Sequence, residues 1–375
     1  MGCALAVAAG AQPGPLFPQA VQPGALEAAG RYAEAAEAWR AATAADPQNA
    51  EAAAHLGLDE ALQGHYAQAI PAYRQALALR PGMPGVNLNL GLALFKSEQL
   101  SAAVAPLAEA AKEVPADPRA GLLLGMALYG TGQYRAAIAP LRGGVAQQPT
   151  NLNLRLTLAQ SCLWANDYDC ALAEYRRILE QDPNSAQADM VAGEALDAKG
   201  DTPGAVTQFR AAAAAAPETP NVHFGLGYLL WKQGAFTEAA AEFGKELALE
   251  PDHPQALAYR GDIALKNSDW TAARSDLQHA TAQPGTLRLA IFDLGILDAQ
   301  DKRLPAAEAE FRRAIALEPD NPDAHWRLAR LLQADGQREE AATELATVRT
   351  LHEKKDSVLL RQMTPASGSP PSPGR

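Results

Sequence analysis

The side chains of this sequence that could do chemistry are few and scattered. Seven histidines and three cysteines lie among 375 residues, and no histidine belongs to an H-E-x-x-H motif, which places two zinc ligands and a general base on one helix. The sequence also has no phosphate-binding loop and no G-x-G-x-x-G turn between a strand and a helix. We therefore predict no catalytic residue, no cofactor and no metal ion, and we interpret each histidine as a solvated or partly packed helix residue.

The composition narrows the classes of partner. Acidic residues outnumber basic ones by 43 to 32, which gives a net charge of -11 and a pI near 5.2. Such a field repels the phosphates of nucleic acids and anionic lipids, so nucleic acid is a poor candidate. No apolar run approaches the roughly 18 to 20 residues of a membrane span, so we predict no membrane insertion of the mature chain. Only 6% of residues are aromatic, and the many alanines favour close helix–helix packing.

A repeated phrase sets the organisation of the chain. Residues 243–256 read FGKELALEPDHPQA and residues 311–324 read FRRAIALEPDNPDA, 68 positions later, which is twice 34. The same 34-residue pattern recurs in phase along most of the chain. We divide it into nine units without insertion or deletion: 50–83, 84–117, 118–151, 152–185, 186–219, 220–253, 254–287, 288–321 and 322–355.

Each unit repeats the same residue types at fixed positions. Position 8 is small, position 20 is alanine and position 24 is large and apolar, as in Gly227, Ala239 and Phe243. Small and large residues in this arrangement predict two helices that nearly touch. A Gly or Asn near position 15 separates the two helices, and a proline at position 32 of most units ends the second. Each unit is therefore predicted to be an antiparallel helical hairpin.

This pattern resembles the tetratricopeptide repeat, with its 34-residue period, small residue at 8, aromatic near 17, alanine at 20 and proline at 32. The resemblance implies an all-α fold, a right-handed superhelical α-solenoid of stacked antiparallel helical hairpins. Residues 16–49 match a degenerate first repeat whose first helix, interrupted by Pro18 and Pro23, is short or absent. We interpret residues 1–15 as a remnant of a signal peptide or a disordered end, and residues 356–375 as the end of a capping helix followed by a disordered Pro/Ser tail.

The resemblance also implies where a partner would bind. In this family the first helices line the concave face, and positions 2, 5, 9, 12 and 13 commonly contact a peptide. Apolar and aromatic side chains occupy many of these positions in the middle of the chain, interleaved with a few polar ones. The predicted peptide groove comprises Leu88, Leu92, Phe95, Arg119, Leu122, Met126, Tyr129, Asn153, Leu156, Gln160, Leu163, Trp164, Met190, Asn221, Phe224, Tyr228 and Trp231.

The alternative interpretation of these residues is structural. Neighbouring first helices press together inside a tight superhelix, so positions 5, 9 and 12 would partly cover one another. Taken together, Tyr129, Trp164, Phe224, Tyr228 and Trp231 favour binding, because bulky rings are scarce elsewhere in the chain. The Lys and Asn clamp with which some family members hold a terminal carboxylate is not visible here.

We accordingly predict a non-enzymatic protein–protein interaction scaffold that holds a partner's peptide segment in the concave groove. One alternative is a structural assembly subunit that acts by oligomerisation of the solenoid, so a homo-oligomer remains possible. Another is a regulatory subunit of an envelope enzyme complex. The alanine richness and the excess of arginine over lysine fit a bacterial, GC-rich genome.

Two features bear on the compartment. The MGCALAVAAGAQPG start, which includes Cys3, resembles the end of a secretory signal with a small-residue cleavage site, but the basic leading segment is missing. Either the true start lies upstream or this is an alanine-rich end. Cys162 and Cys170 end and begin the two helices of one predicted hairpin, whose antiparallel geometry allows them to approach; whether they pair in an oxidising space or remain two ordinary small residues is left open by the sequence. The expected location is periplasmic or exported, with the cytoplasm as the alternative.

Overall fold

The architecture comes from a computed structural model, which describes residues 22–115, 117–285 and 287–363, without the side chains of 357–363. The parts of the predicted first repeat at 16–21 and of the tail at 364–375, together with the whole of 1–15, lie outside the described residues. Within the described ranges the chain forms twenty helices and no strand. The all-α prediction is confirmed. The helices fall into two compact units, residues 1–167 and 168–375.

The amino-terminal unit contains nine helices in chain order. Its helices are α1 (Pro23–Ala28), α2 (Tyr32–Ala45), α3 (Ala50–Leu62), α4 (Tyr66–Leu79), α5 (Val86–Lys96), α6 (Leu100–Glu113), α7 (Pro118–Gly130), α8 (Tyr134–Gln147) and α9 (Leu152–Trp164). Each of the first four consecutive pairs packs as a hairpin, and each hairpin packs against the next helix along the chain. This is the stacking that the solenoid prediction requires.

The carboxyl-terminal unit contains the other eleven helices. These are α10 (Tyr168–Leu179), α11 (Ala186–Ala198), α12 (Thr202–Ala215), α13 (Val222–Lys232), α14 (Phe236–Leu249), α15 (Pro254–Lys266), α16 (Trp270–Ala282), α17 (Arg288–Gln300), α18 (Leu304–Leu317), α19 (Pro322–Ala334) and α20 (Arg338–Met363). From α11 onward they form five hairpins, and the first helices α11, α13, α15 and α17 also contact one another in sequence. These first helices carry the candidate site.

The hairpins are held by a large side chain seated over a glycine. A Cβ added at Gly227 would lie 2.7 Å from the Phe243 ring, and one added at Gly295 would lie 2.7 Å from the Phe311 ring. Both distances are shorter than real Cβ contacts, so only glycine allows the two helices to approach this closely. The same contact joins positions 8 and 24 in five more hairpins, at Gly57, Gly91, Gly125, Gly193 and Gly261.

The turn inside each hairpin needs one residue in the left-handed region. Glycine supplies it at several turns, for example Gly234 with φ of 78° and Gly336 with φ of 83°. Where the sequence departs from glycine, the backbone adopts the same conformation: φ is 59° at both Glu98 and Lys302, and 61° at Ser268. The hairpin geometry therefore overrides the local preference of these residues, at a cost in conformational energy.

In the unit 254–287 the proline falls at position 31 instead of 32 and shortens the second helix. Helix α16 ends at Ala282, and Gln283 after it is extended, with φ of -86° and ψ of 152°. Second helices such as α14 and α18 run for 14 residues, whereas α16 has 13. Proline bars the residue before it from the helical region, so Pro284 shortens the helix by one residue.

Candidate functional site

The predicted groove residues of the amino-terminal unit lie on the first helices α5, α7 and α9. Most are partly buried: Leu88, Leu92, Phe95, Leu122, Met126, Tyr129, Leu156 and Gln160. Arg119 and Asn153 are exposed, and the Arg119 guanidinium donates three hydrogen bonds to the Asp117 carboxylate, which lowers the pKa of Asp117 to about 2. Neighbouring α5 and α7 contact each other, so part of this surface is covered by adjacent helices.

An aromatic cluster forms where α7, α8 and α9 meet. The Trp164 ring stacks on the Tyr129 ring at a centroid distance of 5.7 Å and lies 4.7 Å from the Tyr134 ring. The Tyr129 hydroxyl donates a hydrogen bond of 2.7 Å to the Gln160 side-chain oxygen, which fixes the ring. Trp164 remains 46% exposed. The cluster therefore presents one rigid indole face to solvent.

Leu163 is a correction to the predicted groove. Its side chain is only 7% exposed, so it belongs to the helical packing and offers no accessible surface. Successive residues of a helix point about 100° apart, so the outward direction of Trp164 turns its neighbour inward. A rule that names both positions 12 and 13 overcounts here, because only one of two adjacent positions faces the groove.

In the carboxyl-terminal unit, the predicted residues Met190, Asn221, Phe224 and Tyr228 come together. They line a pocket of about 520 Å³ between α11 and α13, together with Glu194, Asp197, Ala198, Phe209, Pro220, Gly225 and Leu229. Phe209 closes the floor, because a Cβ added at Gly225 would lie 2.3 Å from its ring. The pocket is thus a concave apolar cleft with a small number of polar groups, which is the usual composition of a binding site.

Aromatic contacts hold the walls of this pocket rigid. The Tyr228 ring lies 6.4 Å from the Phe224 ring and 6.2 Å from the Trp231 ring. Tyr259 of α15, which the sequence rule did not include, packs 5.4 Å from Tyr228 and 4.9 Å from Trp231. Trp231 also donates a hydrogen bond of 2.6 Å from its Nε1 to the buried Asp262 carboxylate. Trp231 therefore supports the wall and does not line the pocket itself.

Asn221 holds the rim of the pocket in a strained backbone conformation. Its φ is 66°, in the left-handed region that asparagine tolerates better than most residues. The buried Glu246 carboxylate accepts hydrogen bonds from the backbone nitrogens of Asn221, at 2.9 Å, and Phe224, at 3.0 Å. It thereby caps α13 in the way that an acidic residue stabilises a helix N-terminus.

The side chain of Asn221 is oriented by His253. The His253 Nδ1 accepts a hydrogen bond from the Ala256 nitrogen, so its proton is on Nε2, which donates to the Asn221 side-chain oxygen at 3.0 Å. Asn221 is exposed, and its amide nitrogen makes no hydrogen bond to the described residues, so it can donate to a ligand's carbonyl oxygen.

Glu194, an acidic residue of this pocket, has a raised pKa. The Glu194 side chain is accessible to solvent, yet the pocket walls exclude enough water from its carboxyl to raise its pKa above the ordinary value. Asp197 beside it accepts hydrogen bonds from Lys232, at 2.6 Å, and from the Thr202 hydroxyl, at 3.0 Å. Glu194 is therefore the acid of this pocket that a ligand can address.

One group of side chains resembles a metal site by distance, since ligand atoms of Glu246, Glu250 and His253 lie within 4.8 Å of one another. However, both oxygens of Glu246 accept backbone hydrogen bonds, and both ring nitrogens of His253 are already engaged. Capping of α13 and α15 accounts for this arrangement, so we assign no metal to it.

The sequence left open whether Cys162 and Cys170 form disulfides, and in the structure both do. Cys162 is disulfide-bonded, and so is Cys170. Cys3 lies outside the described residues. Disulfides persist in oxidising compartments, which is relevant to the location proposed below.

A second pocket, of about 760 Å³, lies further along the same unit between α15, α17 and α19. The register used for the first groove would have found it, because nine of its residues occupy positions 2, 5, 9, 12 or 13: Asp262, Leu265, Lys266, Leu289, Phe292, Ile296, Ala299, Gln300 and Asp323. The predicted groove ends at Trp231 because the prediction relied on aromatic and large aliphatic side chains. Acidic and basic residues are interspersed among the apolar ones in this later stretch, so no groove was predicted there.

Comparison with known families agrees with the helical hairpins seen in the structure. Two family models, both described as tetratricopeptide repeat, match the chain, one at residues 25–84, 190–248 and 224–285 and the other at 61–127, 128–195 and 298–357. The chain belongs to the tetratricopeptide repeat family. Tetratricopeptide repeats generally serve as protein-interaction scaffolds and are typically non-catalytic.

Solved structures agree with a tetratricopeptide solenoid. A chain of the Cut9–Hcn1 hetero-tetramer of APC/C is similar at 17% identity and a TM-score of 0.50, over 81% of this protein. This protein spans only 61% of that chain. A Pseudomonas aeruginosa pilF structure is similar at 20% identity and a TM-score of 0.51, over 58% of this protein and 97% of that chain. Comparison with curated proteins gave no match.

The tetratricopeptide helices also bear on membrane insertion. Among the described residues, no helix combines the length and the apolar composition needed to cross a bilayer.

Proposed function

We propose that this protein is a non-catalytic scaffold that binds an extended or helical segment of a partner protein in the pocket between α11 and α13. The observation that carries the proposal is the open apolar cleft lined by Met190, Phe224 and Tyr228, in which the Phe224 and Tyr228 rings are held by neighbouring rings. A preorganised wall loses little entropy on binding, so its apolar area contributes fully to affinity.

The polar groups of the pocket suit a peptide more than a compact small molecule. The Asn221 amide can donate to a backbone carbonyl, while the cleft accepts apolar side chains, as in other grooves that bind peptide segments. Glu194 at the same wall adds a negative charge that favours a basic or amide group on the segment.

The test begins with peptides selected against the full chain from a random display library. Binding of the selected peptides is then measured by calorimetry with the wild type and with a Met190→Ala, Tyr228→Ala variant. We expect the double variant to weaken binding at least tenfold, since each truncation removes buried apolar area at the centre of the site. The matched control is Trp326→Ala, which removes a large exposed side chain of α19 that does not line this pocket.

The proposal fails if the double variant binds the peptides as tightly as the wild type. Trp231 is left unchanged, because its removal would strand the buried Asp262. Sedimentation of the same proteins tests the alternative of a structural assembly subunit. A discrete oligomer that the double variant leaves intact, without peptide binding, would favour that alternative.

We further propose that the protein acts in the periplasm or outside the cytoplasm of a bacterium. The disulfide state of Cys162 and Cys170 supports this location, since reducing cytosol would keep both as thiols. The measurement is a mass-shift assay with a thiol-reactive reagent on protein taken directly from cells, before and after reduction. Full labelling of both cysteines without a reductant would contradict the proposed location.

A further inference from the structure

In the carboxyl-terminal unit, the larger of the two pockets described above contains a carboxyl group with one oxygen that accepts no hydrogen bond from the described residues. Its apolar wall is formed by Leu289, Phe292 and Ile296 of α17. Asp293, on the same helix, also lines it and is only 3% exposed. The Asp293 Oδ2 is buried and has no hydrogen-bond partner among the residues that the structure describes. An acceptor left in this state is costly and calls for a donor.

The neighbouring charges are mostly committed to one another. Lys266 of α15 pairs with Asp262, which also accepts the hydrogen bond of Trp231. Arg288, on α17 itself, forms an ion pair with Glu318, with 2.6 Å between Nε and Oε2, although the angles of this contact are not those of a hydrogen bond. Two of the three cations that line the pocket therefore already have a carboxylate.

The other charged groups of the pocket lie on α19. Asp323 and Arg327 are both exposed, and their charges are opposite. With Asp293 ionised, the three acidic and three basic side chains that line the pocket sum to zero, and the Glu318 carboxylate, which pairs with Arg288 from outside the lining, adds one negative charge. Burial and then the negative charge of Asp262 raise the pKa of Asp293 to about 8, although Lys266, Arg288 and Arg327 act in the opposite direction. In the free protein the carboxyl is therefore mainly neutral at pH 7.

We propose that this pocket binds a lysine or arginine side chain of a partner segment, with Asp293 as the acceptor of its ammonium or guanidinium group. The apolar wall of Leu289, Phe292 and Ile296 contacts the aliphatic stem and an adjoining apolar residue. A carboxylate ligand is disfavoured, because it offers no donor to Asp293. The site is separate from the pocket around Tyr228 and does not require that pocket to be occupied.

Binding at this site releases a proton. The neutral Asp293 carboxyl loses its proton to solvent, and the resulting carboxylate pairs with the ligand's cation, so the charges balance. Affinity for a cationic ligand therefore rises up to about tenfold per pH unit below pH 8 and levels off above it. An anionic ligand, which would need the protonated carboxyl as a donor, would show the opposite dependence.

The probes are three short peptides that differ at one position, acetyl-Leu-Lys-Leu-Leu-amide and its glutamine and glutamate analogues. Their binding to the full chain is measured by calorimetry from pH 6 to pH 9, in buffers with different heats of ionisation. We expect the lysine peptide to bind about tenfold more tightly than the glutamine peptide at pH 8, as charged hydrogen bonds are the stronger ones. We also expect proton release close to one per peptide at pH 6.5.

The variant that tests the assignment is Asp293→Asn. It should abolish the preference for lysine over glutamine and the release of protons, while leaving the glutamine peptide unchanged. The control is Asp189→Asn, which alters a carboxyl of similar burial, 4% exposed, on the first helix α11 outside this pocket. If the Asp293 variant does not fold, the proton release of the wild type still decides, since it requires no substitution.

Equal binding of the lysine and glutamine peptides, tighter binding of the glutamate peptide, or absence of proton release would each overturn the proposal. A variant with Met190→Ala and Tyr228→Ala should keep the lysine preference. Failure of the pocket between α11 and α13 as a peptide site is thereby distinguishable from failure of the Asp293 site.

Discussion

At the scale of single residues, the contact between positions 8 and 24 decides how closely two helices approach. Gly227 faces the Phe243 ring, whereas Gly244, in the next helix, has no atom within 4 Å of the place a Cβ would occupy. The two glycines thus share a helical setting and differ in the space around them. A substitution by alanine separates the effect of packing from the effect of helix propensity.

We predict that Gly227→Ala lowers the free energy of unfolding by about 1 to 3 kcal/mol, because the added methyl group overpacks the hairpin. Gly244→Ala should raise it by about 0.5 to 1 kcal/mol, since alanine is the better helix former and meets open space. Urea unfolding followed by circular dichroism measures both. Equal effects of the two substitutions would show that packing at Gly227 is unimportant.

A second residue-scale feature is the carboxyl of Asp59 in α3, which is 0% exposed. Among the described residues neither of its oxygens nor the buried Tyr73 hydroxyl has a hydrogen-bond partner by geometry, and the group that acts on Asp59 is the Glu27 carboxylate, which supplies no donor to an ionised Asp59. Burial and then the negative charge of Glu27 raise the pKa of Asp59 to about 6. Because the folded pKa exceeds the unfolded value, the folded protein binds more protons, and stability is lost as pH rises from about 4 to about 6.

We predict that Asp59→Asn stabilises the protein at pH 7.5 by about 1 to 3 kcal/mol, because it removes an ionised and unsatisfied buried group. The gain should shrink as the pH falls through 6 and be small near pH 4, where Asp59 is neutral in the folded state. Thermal or urea unfolding across this range measures it. Glu218→Gln, at an exposed residue, serves as the control, and a gain that does not vary with pH would contradict the assigned titration.

At the scale of the elements, the turn within each hairpin imposes one left-handed residue whatever the sequence offers. Lys302 adopts φ of 59° between α17 and α18, where other turns place glycine. Left-handed backbone costs a residue with a Cβ roughly 1 to 2 kcal/mol. The hairpin tolerates this cost because the packing of its two helices determines the turn.

We predict that Lys302→Gly stabilises the protein by about 1 kcal/mol, because glycine removes the strain of the left-handed backbone. The greater conformational freedom of glycine in the unfolded chain offsets only part of this stabilisation. Gly336→Ala, at the equivalent turn between α19 and α20 with φ of 83°, should cost a similar amount. Denaturant titration of both variants measures the pair. Two changes of the same sign would show that backbone strain is not the cause.

At the scale of the whole molecule, stability is expected to be a sum of repeats and of the contacts between neighbours. Removal of residues 288–321 deletes α17 and α18 and leaves a neighbouring hairpin on either side in the same register. Removal of residues 288–304 deletes α17 but leaves α18 without its partner. The two deletions differ in register, which makes them a test of the repeat architecture.

We predict that the 34-residue deletion keeps the helical content per residue and a cooperative unfolding transition, with a lower denaturant dependence because less surface is buried. The 17-residue deletion should lose helical content and unfold broadly, since it exposes the apolar face of α18. Circular dichroism and urea titration compare them. Similar behaviour of the two proteins would argue against stacking in units of 34 residues.

Much of the architecture was predictable because its determinants are periodic. Small residues at position 8, alanine at 20 and proline at 32 repeat every 34 residues, and each reports a local steric requirement that holds wherever two helices touch. The groove register located Met190, Phe224 and Tyr228, which do line one pocket. It failed at Leu163, whose direction depends on how α9 is rotated in its own packing.

The sequence by itself determined the helical hairpins and their register, since these follow from residue types at fixed spacing. Tertiary structure alone decided that Trp231 braces a wall, that Tyr259 joins it, and that Asp293 is buried without a donor. These properties depend on which side chains from different helices meet. That information lies in the packing between hairpins and not in any one repeat.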